Sequence, residues 1–476
     1  METTANYTEE ESKAIAREYK ELLRISYQTL TDEDKKVIRL AFDTAVNAHK
    51  NQRRKSGEPY IFHPIAVAKI VAQRIGLDAV SIAAALLHDV VEDTEYTNED
   101  IEQLFGKTIA HIVAGLTKIS HLSRENDISL QAENFRKLLL TMNDDVRVIL
   151  IKIADRLHNM QTMDSMAEYK QTKIASETLY IYAPIAHRIG LYNIKTELED
   201  LALKYTDPER YFMILGKMEE SKEEQQSYID AFTKIVETSL NEQKIDYYIK
   251  GRPKSIYSIN RKMESQGVTF EEVYDKFAIR IIYKSEPSEE KFLAWKIYSI
   301  ITDLYHSNPA RMRDWITQPR STGYESLHLT ILGPDNKWVE VQIRSERMDE
   351  IAEKGVAAHY KYKEGFSQNS DDKNFEQWVV QIREVLDNQQ SLSTTELLDS
   401  IKLNLYTKEV FIFTPKGDVK ILPKGATALD FAFMVHSELG MKCSGAKING
   451  KLQPISYVLK NGDQIDIISS PNQKPK

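Results

Sequence analysis

The spacing of apolar residues predicts a run of helices over about the first 205 residues. In "DEDKKVIRLAFDTAVNAHK", apolar residues recur at helical spacing, with Val37, Leu40 and Ala41 on one face. The segments "HPIAVAKIVAQRI", "DAVSIAAALLHDVVED" and "DDVRVILIKIADRLHNM" show the same period. We therefore predict that each of these segments forms a helix of an all-helical first domain.

The period changes near residue 240. The segments "YDKFAIRIIYK" and "KWVEVQIRS" alternate between apolar and polar residues and are rich in β-branched and aromatic side chains, which is typical of strands. From Glu409 the chain is again β-rich, and "PKGD" indicates a tight turn between two strands. In the segment "KWVEVQIRS", period two predicts one face toward the core (Val339, Val341, Ile343) and one away from it (Glu340, Gln342, Arg344).

These patterns predict a multidomain α and α+β protein built from five parts. The parts are a helical domain (1–205), a charged helical connector (206–240), a mixed α/β domain (241–370), a helical linker (371–405) and a small β-rich domain (406–470).

Composition narrows the class of protein. A formal net charge of -8 over 476 residues argues against a general nucleic-acid coat protein. The single cysteine, Cys443, excludes an intramolecular disulfide and fits a reducing cytosol. The acidic, polar N-terminus is not a signal peptide, and no apolar run approaches the ~20 residues that span a bilayer. We therefore expect a soluble cytoplasmic protein without a membrane partner.

The stretch "ALLHDVVEDT" places His88 and Asp89 at the end of an apolar run. Another apolar segment, "KIADRLHNM", contains Asp155, and "EPYIFHP" supplies His63. A lone buried His–Asp pair is usually a structural hydrogen bond. Two imidazoles and two carboxylates on three apolar helices instead suit a divalent metal such as Mn²⁺, Fe²⁺ or Zn²⁺, which neutralises the acids and lowers the pKa of a bound water.

This spacing of His, His-Asp and Asp resembles the HD phosphohydrolase superfamily. Under that resemblance Glu92 and Asp93, one turn beyond the metal ligands, would orient or deprotonate the water. Before the first histidine, "RRKSGEPYIFHP" places Arg54, Lys55 and Ser56 in a glycine-containing loop, which suits contacts to phosphate and base.

The segments "RRKSGEPYIFHP", "LLHDVVEDT" and "IKIADRLHNMQTM" resemble the RelA/SpoT homologues, the long bifunctional enzymes of the bacterial stringent response. The resemblance implies a Mn²⁺-dependent hydrolase domain over 1–205 that removes the 3′-diphosphate of ppGpp or pppGpp. It implies that Arg54 packs on the guanine and that four further residues contact the nucleotide, namely Lys55, Ser56, Asn159 and Thr162.

The basic loop "GRPKSIYSINRK" and two acids on strands form a second group of candidate residues. A basic stretch alone is often only solvated surface. Asp275 and Glu340 on neighbouring strands beside lysines and arginines, however, are what Mg²⁺–triphosphate chemistry requires. Tyr324 follows Gly323 and has a ring that could stack on a purine.

This part resembles the nucleotidyltransferase-like synthetase domain of the same family, which transfers pyrophosphate from ATP to the 3′-hydroxyl of GDP or GTP. The resemblance assigns Arg252 and Arg280 to the ATP adenine, Asp275 and Glu340 to Mg²⁺, Glu340 also to the general base, and Tyr324 to the acceptor guanine. The full predicted nucleotide-binding set is Gly251, Arg252, Lys254, Ser258, Lys262, Arg280, Arg311, Arg313, Arg320, Tyr324, His328 and Gln342.

The segment "RMRD" keeps the basic character that is typical of the bifunctional branch, with Arg313 where a lysine is usual. Arg320 and Thr322 depart further, because the family usually has lysine and asparagine there. The β-rich end resembles a TGS domain, a β-grasp module, in which His436 would contact the 3′ end of deacylated tRNA. The alternative is a regulatory domain with a buried histidine. Since long members continue into ribosome-binding domains, we expect a truncated or short form.

Three other functions stay open from the sequence: a synthetase with an inert, regulatory HD domain, a tRNA- and ribosome-associated sensor with little catalysis, and a generic HD nucleotidase. The intact residues His63, His88, Asp89, Glu92, Asp93 and Asp155 count against the first, and the two complete catalytic sets count against the second. The basic loop with Asp275 and Glu340 counts against the third for the chain as a whole. Because synthesis and hydrolysis together would form a futile cycle, we also expect reciprocal coupling between the two sites, with residues 206–240 as the candidate mobile element.

Overall fold

Helices make up the N-terminal part of the chain, as the apolar spacing predicts. The computed structural model describes residues 7–26, 30–122, 145–273, 276–320, 323–354, 409–415, 419–460 and 462–470. The chain divides into two compact units, residues 1–390 and 391–476. The first helices are α1 (Glu9–Ser26), α2 (Asp32–Ala48), α3 (Phe62–Lys69), α4 (Ala79–Leu86), α5 (Val90–Asp93), α6 (Asn98–Leu122), α7 (Val146–Gln161), α8 (Glu168–Glu177), α9 (Ala183–Arg188) and α10 (Tyr192–Thr206).

The prediction of one helix through "DAVSIAAALLHDVVED" is wrong, because the chain turns at residues 87–89. Helix α4 begins at Asp78, whose side chain accepts from the Ser81 N–H, and ends at Leu86. His88 Nδ1 then donates to the Ala85 carbonyl over 2.7 Å. In a continuing helix that carbonyl would accept the N–H of Asp89, so the imidazole takes the place of a helical hydrogen bond.

Two further helices, α11 (Pro208–Glu220) and α12 (Lys222–Glu242), occupy the stretch predicted as a charged connector. The apolar face of α12 is not solvated, because Phe232, Val236 and Leu240 are fully buried in one hydrophobic cluster with the central strands of the following sheet. We therefore expect α12 to move with that sheet rather than as an independent mobile element.

A five-stranded sheet forms the centre of the predicted α/β domain, in the order β1-β2-β5-β4-β3. Only β2 and β5 are parallel, and Ala278 on β2 lies opposite Glu340 on β5. The described elements of this domain are β1 (Tyr247–Pro253), α13 (Ile256–Gln266), β2 (Phe277–Tyr283), α14 (Glu290–Leu304), β3 (Arg313–Asp314), β4 (Leu327–Leu332), β5 (Trp338–Ser345) and α15 (Glu346–Lys354).

Strand β5 has the two predicted faces, but both are largely covered. Val339, Val341 and Ile343 belong to the hydrophobic core. On the opposite face Gln342 and Arg344 are also buried, beneath α15, whose Asp349 Oδ1 lies 3.4 Å from Arg344 Nη1. The polar face of β5 is therefore buried at Gln342 and Arg344, whereas the Glu340 side chain is 35% exposed.

The second unit is a small β-rich domain with its own core. The predicted hairpin around "PKGD" is confirmed by the pairing of β6 with β7, although residues 416–418 lie outside the described part. The predicted linker at 371–405 also lies outside it. The described elements are β6 (Glu409–Phe413), β7 (Val419–Pro423), α16 (Ala428–Val435), α17 (Ser437–Met441), β8 (Cys443–Ile448), β9 (Lys451–Gln453) and β10 (Ile465–Ser469).

The fold class is therefore multidomain, with a helical domain, a mixed α/β domain and a small β-grasp domain, as predicted. Among the described helices, none combines the length and the apolarity that crossing a membrane requires.

The packing of α12 predicts that Phe232→Ala destabilises the α/β domain by about 3–5 kcal/mol, because it empties a fully buried site. Ile235→Ala, on the exposed side of the same helix, should be nearly neutral. Tryptophan emission during urea unfolding measures this, since Trp295, Trp315 and Trp338 all lie in this domain. Equal losses in both variants would contradict the packing of α12 on the sheet.

Candidate active sites

The structure brings the four predicted metal ligands together at one buried point. His63 Nε2, on α3, lies 3.2 Å from Asp155 Oδ1, on α7, and 3.7 Å from Asp89 Oδ2. His88 Nε2, in the turn after α4, lies 3.0 Å from the same Asp89 oxygen and 3.9 Å from Asp155 Oδ1. One ligand atom from each of His63, His88 and Asp155 lies within 4.8 Å of the other two. This separation suits a single ion.

His88 has the arrangement of a metal-binding histidine. Because its Nδ1 donates to the Ala85 carbonyl, a neutral ring carries its lone pair on Nε2. That nitrogen is buried and lies 3.0 Å from Asp89 Oδ2, so between the two carboxylates it either carries a proton or binds a cation. A buried nitrogen lone pair facing two carboxylates fits a divalent cation better than it fits a purely structural hydrogen bond.

Two outer side chains orient the carboxylates. Tyr60 Oη donates to Asp89 Oδ2 over 2.6 Å, and Asn159 Nδ2 donates to Asp155 Oδ1 over 2.6 Å. Sequence reasoning missed Tyr60. Its place three residues before His63, in "EPYIFHP", is the signal that could have found it, because that spacing brings both side chains to one side of a turn.

The charges of the cluster favour a bound cation. Burial lowers the pKa of His63. Burial also opposes a charge on His88, but the carboxylates of Asp89 and Asp155 outweigh it and raise the pKa of His88 to about 9. Burial works against ionised Asp155, yet the Lys152 ammonium, 2.8 Å away, and His63 hold its pKa well below the usual range. The cluster therefore keeps its acids ionised and attracts positive charge.

The predicted nucleotide residues of this region join the same network. Arg54 donates to Asn159 Oδ1 over 2.8 Å and to Thr162 Oγ1 over 3.0 Å. Lys55 and Ser56 are exposed at the turn that Gly57 (φ 90°) closes. All five predicted nucleotide residues, Arg54, Lys55, Ser56, Asn159 and Thr162, line one cleft of about 1070 Å³. The metal-ligand candidates His63, Asp89 and Asp155 line the same cleft, and so does the predicted water-orienting pair, Glu92 and Asp93.

His158 is a further residue that the sequence did not indicate. Its Nδ1 lies 2.7 Å from His63 Nδ1. Burial, with the nearby His63 and Arg54, lowers the pKa of His158 to about 3. A neutral His158 can accept from or donate to His63 and so hold its ring while Nε2 faces the carboxylates.

The α/β domain contains a second polar centre, on the polar face of β5. Gln342 Nε2 donates to Glu340 Oε1 over 2.6 Å, and His328 Nδ1 lies 3.2 Å from the same oxygen. Burial alone would raise the pKa of Glu340, but these contacts lower it to about 2. Tyr324 Oη lies 2.8 Å from His328 Nε2. Glu340 is thus an ionised carboxylate with a fixed orientation.

Three cavities meet at this centre. The first, of about 550 Å³, has both Glu340 and Gln342 in its wall. The second, of about 220 Å³, shares Gln342, and the third, of about 340 Å³, shares Glu340. Most of the predicted synthetase residues line these three cavities. The first contains Arg252, Lys254 and Ser258, and the second contains Arg252, Arg280, Arg320, Tyr324 and His328. The third contains Lys262, Arg311, Arg313 and His328.

The predicted stacking residue Tyr324 stands among other aromatic rings. The Trp315 ring lies 5.6 Å from it and the Tyr192 ring 5.5 Å, both edge-on. The Arg320 guanidinium lies 4.0 Å from the centre of the Trp315 ring. Trp315 and Tyr192 were not predicted, and Tyr192 comes from α10, far from Tyr324 in sequence.

Three predicted residues need separate mention. Gly251 lines none of these cavities. A side chain there would meet the end of the Ile229 side chain of α12, which would have to move to make room. Asp275 and Thr322 lie outside the described residues, so the predicted role of Asp275 beside Glu340 stays a prediction.

In the small β-grasp domain, His436 is exposed and precedes α17. Its Nδ1 accepts from the Glu438 N–H over 3.1 Å, which caps the helix. The neutral ring therefore carries its proton on Nε2, at the surface. The alternative of a buried histidine is wrong.

Comparison with known proteins supplies the family. The pattern described as "HD domain" matches residues 41–192, "Region found in RelA / SpoT proteins" matches 251–367, and "TGS domain" matches 410–469. The chain is a RelA/SpoT homologue.

Relatives match this RelA/SpoT homologue along most of its length. A GTP pyrophosphokinase of Myxococcus xanthus is 44% identical over 93% of this chain and 58% of its own. The bifunctional (p)ppGpp synthase/hydrolase SpoT of Escherichia coli is 41% identical over 94% of this chain and 63% of its own. The chain thus spans about 60% of the length of these relatives. A solved metazoan ortholog of SpoT is 27% identical, with a TM-score of 0.27, over 37% of this chain and 88% of its own.

For this RelA/SpoT homologue, the HD domain implies a divalent metal ion, and the buried cluster has the side chains to hold one. Asp155→Asn should therefore weaken Mn²⁺ binding by at least about tenfold, because an anionic ligand is lost. Asp164→Asn is the matched control, since Asp164 borders the same cleft but pairs with Lys204 and Tyr205. Calorimetric titration with Mn²⁺ measures both. Unchanged Mn²⁺ affinity in the Asp155 variant would contradict the assignment.

Proposed function

We propose that this chain both makes and degrades (p)ppGpp. It would transfer pyrophosphate from ATP to the 3′-hydroxyl of GDP or GTP, and it would hydrolyse the 3′-diphosphate of ppGpp or pppGpp. The observation that carries this proposal is that one chain holds two intact polar centres, the His63/His88/Asp89/Asp155 cluster and the Glu340 centre, each at a cavity lined by basic side chains. The names of the relatives support the same pair of activities.

In the hydrolase, His63, His88, Asp89 and Asp155 would hold a divalent ion, for which we propose Mn²⁺. When bound, such an ion supplies Lewis acidity that makes water a better nucleophile. The protein's own side chains bind and orient the nucleotide. Arg54 presents a guanidinium already fixed by Asn159 and Thr162, so its face is ready to stack on guanine.

Glu92 and Asp93 are the proposed residues for orienting the attacking water and moving its proton. Both border the cleft beside Asp89, within one turn of the chain. A carboxylate within hydrogen-bonding reach of the water can take its proton as the bond to phosphorus forms.

In the synthetase, Glu340 and Asp275 would hold Mg²⁺, and Lys254 and Lys262 would neutralise the ATP phosphates. Glu340 lies at the junction of two cavities, one containing Lys254 and the other Lys262. A triphosphate in the first cavity and an acceptor beside Tyr324 would therefore meet at this carboxylate. We propose that Glu340 takes the proton of the 3′-hydroxyl as its oxygen attacks the β-phosphorus of ATP, while the bond from that phosphorus to the α,β-bridging oxygen breaks and AMP leaves.

The alternatives are less well supported. A synthetase with an inert HD domain would have no need of the outer residues Tyr60, Asn159 and His158, which all orient the ligand side chains. A sensor with little catalysis would not need Glu340 held by Gln342 and His328. A cytoplasmic location remains a prediction from composition.

We further propose that the two sites are coupled. Helix α10 lines both cavities that contain Gln342, through Asn193 and Thr196. Its Glu197 accepts from Gln161 Nε2, at the end of the helix that carries Asp155. A displacement of α10 would therefore change both sites together, which a pair of opposing activities requires.

The proposal predicts that the two activities can be removed separately. Asp155→Ala should abolish ppGpp hydrolysis and spare synthesis, because the metal loses an anionic ligand. Glu340→Gln should abolish synthesis and spare hydrolysis, because an amide neither takes the proton nor binds Mg²⁺ well. Nucleotides are resolved after incubation with ATP and GDP, and separately with ppGpp and Mn²⁺. If either variant kept both activities at the wild-type rate, the corresponding site assignment would fail.

For the TGS domain we propose contact with the 3′-terminal adenosine of deacylated tRNA, with the ribosome as the setting in longer forms. The exposed His436 ring can stack on a base and donate from Nε2 to a ribose hydroxyl, which an aminoacyl group would block. The exposed Lys447 and Lys451 could add phosphate contacts that weaken with salt.

This predicts that His436→Asn lowers affinity for deacylated tRNA, at low salt, to the level seen with aminoacylated tRNA. Asparagine keeps the helix cap, because its side-chain oxygen can accept from the Glu438 N–H, so the variant removes only the ring. Filter binding of both tRNA forms to the wild type and the variant measures this. Equal wild-type affinity for the two forms would leave the domain without this role.

A further inference from the structure

Arg280, the residue that the proposed function places against the ATP adenine, is fixed by side chains from two other elements. Its side chain is 8% exposed. Its Nε donates to Gln342 Oε1 over 3.3 Å, and Nη1 donates to Glu353 Oε1 over 2.7 Å. Asp349 Oδ1 lies 3.5 Å from the same Nη1. Since guanidinium N–H groups point in the plane of the group, such partners fix that plane, and the group lines the cavity that also contains Arg252 and Tyr324.

Glu353 is itself held at both oxygens. While Oε1 accepts from Arg280, Oε2 accepts from Asn193 Nδ2. Burial would raise the pKa of Glu353, but the Asn193 hydrogen bond and the Arg280 charge lower it, so the carboxylate stays ionised. Asn193 is the second residue of α10 and lies outside residues 251–367, which match the RelA/SpoT region.

We propose that Glu353 and Asn193 are positioning residues for ATP in the synthetase: Glu353 fixes the plane of Arg280, and Asn193 fixes Glu353. The inference rests on the proposed function, which gives Arg280 its role. Its consequence is that the ATP affinity of the synthetase depends on a side chain from the helix that packs against the HD domain.

The order of action in this relay gives a specific pattern of effects. Glu353→Ala removes the shortest hydrogen bond to the guanidinium and leaves only the longer contacts to Gln342 and Asp349, so we expect the KM for ATP to rise about tenfold, the scale of one charge-assisted hydrogen bond. Asn193→Ala should raise it about threefold. The double variant should be no worse than Glu353→Ala alone, because Asn193 acts only through Glu353. Glu353→Gln should recover part of the affinity, since its amide oxygen can still accept from Arg280.

The experiment measures kcat and the KM values for ATP and GDP in synthesis, with calorimetric binding of α,β-methylene-ATP as a readout that needs no turnover. Glu350→Ala is the matched control, because Glu350 lies on the same helix but pairs with Lys354 over 2.7 Å. The KM for GDP and the rate of ppGpp hydrolysis should not change in Glu350→Ala, and in Glu353→Ala the KM for ATP should rise more than the KM for GDP.

An unchanged KM for ATP in Glu353→Ala would overturn the proposal, and so would a lower one, which would mean that Glu353 holds Arg280 away from ATP. Additive effects of the two substitutions would overturn the relay, since Asn193 would then act on ATP independently. A rise of similar size in Glu350→Ala would reduce the effect to general loosening of α15. If the wild-type chain made no ppGpp, the proposed function would fail, and binding of the ATP analogue would still decide the role of Glu353.

Discussion

Helix α10 is the physical link on which both catalytic regions of this chain depend. On one side Glu197 accepts from Gln161 and pairs with Arg74 over 2.7 Å, which ties the helix to the HD domain. On the other side Asp200 accepts the N–H of Tyr257 over 2.8 Å, at the first turn of α13. Because the helix contacts both regions, we expect a rearrangement of either wall to act on the other.

Both regions also contain charged side chains that are buried away from water. Unpaired buried charges cost several kcal/mol each, so every such group needs a counter-charge or hydrogen bonds. In the HD domain Asp89 and Asp155 face two imidazoles and Lys152, and a divalent ion would complete that balance. In the synthetase domain the fully buried Arg344 donates to Gln342 and lies beside Asp349. These pairs hold the buried charged groups in fixed orientations.

Periodicity and local motifs were enough to predict the helical first part, the strand β5 with its two faces, and the four histidine and aspartate residues that meet in the buried cluster, whose role as metal ligands stays a prediction. These features depend on the spacing of a few neighbouring residues, for example Val339, Val341 and Ile343. The break in the helix at His88 was not predictable from spacing, because it depends on one imidazole N–H that replaces the backbone N–H of Asp89 as the donor to the Ala85 carbonyl.

Contacts between distant residues account for what the sequence did not reveal. Tyr192 and Asn193 reach the synthetase from α10, more than 80 residues before β2, and no local pattern indicates that approach. The polar residues of β5 were expected on an open face, whereas α15 covers Gln342 and Arg344. Likewise the sequence of α12 predicted a charged connector, but its apolar side chains pack in a hydrophobic core whose other residues lie far along the chain.

The coupling of the two sites through α10 is tested most directly by calorimetric titration of ppGpp into Glu92→Gln, a substitution expected to keep binding and lose turnover, in the presence of Mn²⁺. The titration is run with and without saturating α,β-methylene-ATP and GDP, and the ATP analogue is then titrated with and without ppGpp. We expect each ligand to weaken the other by the same factor, on the order of five- to a hundredfold, as linkage requires. Identical affinities in both directions would show that α10 supports the two sites without coupling them.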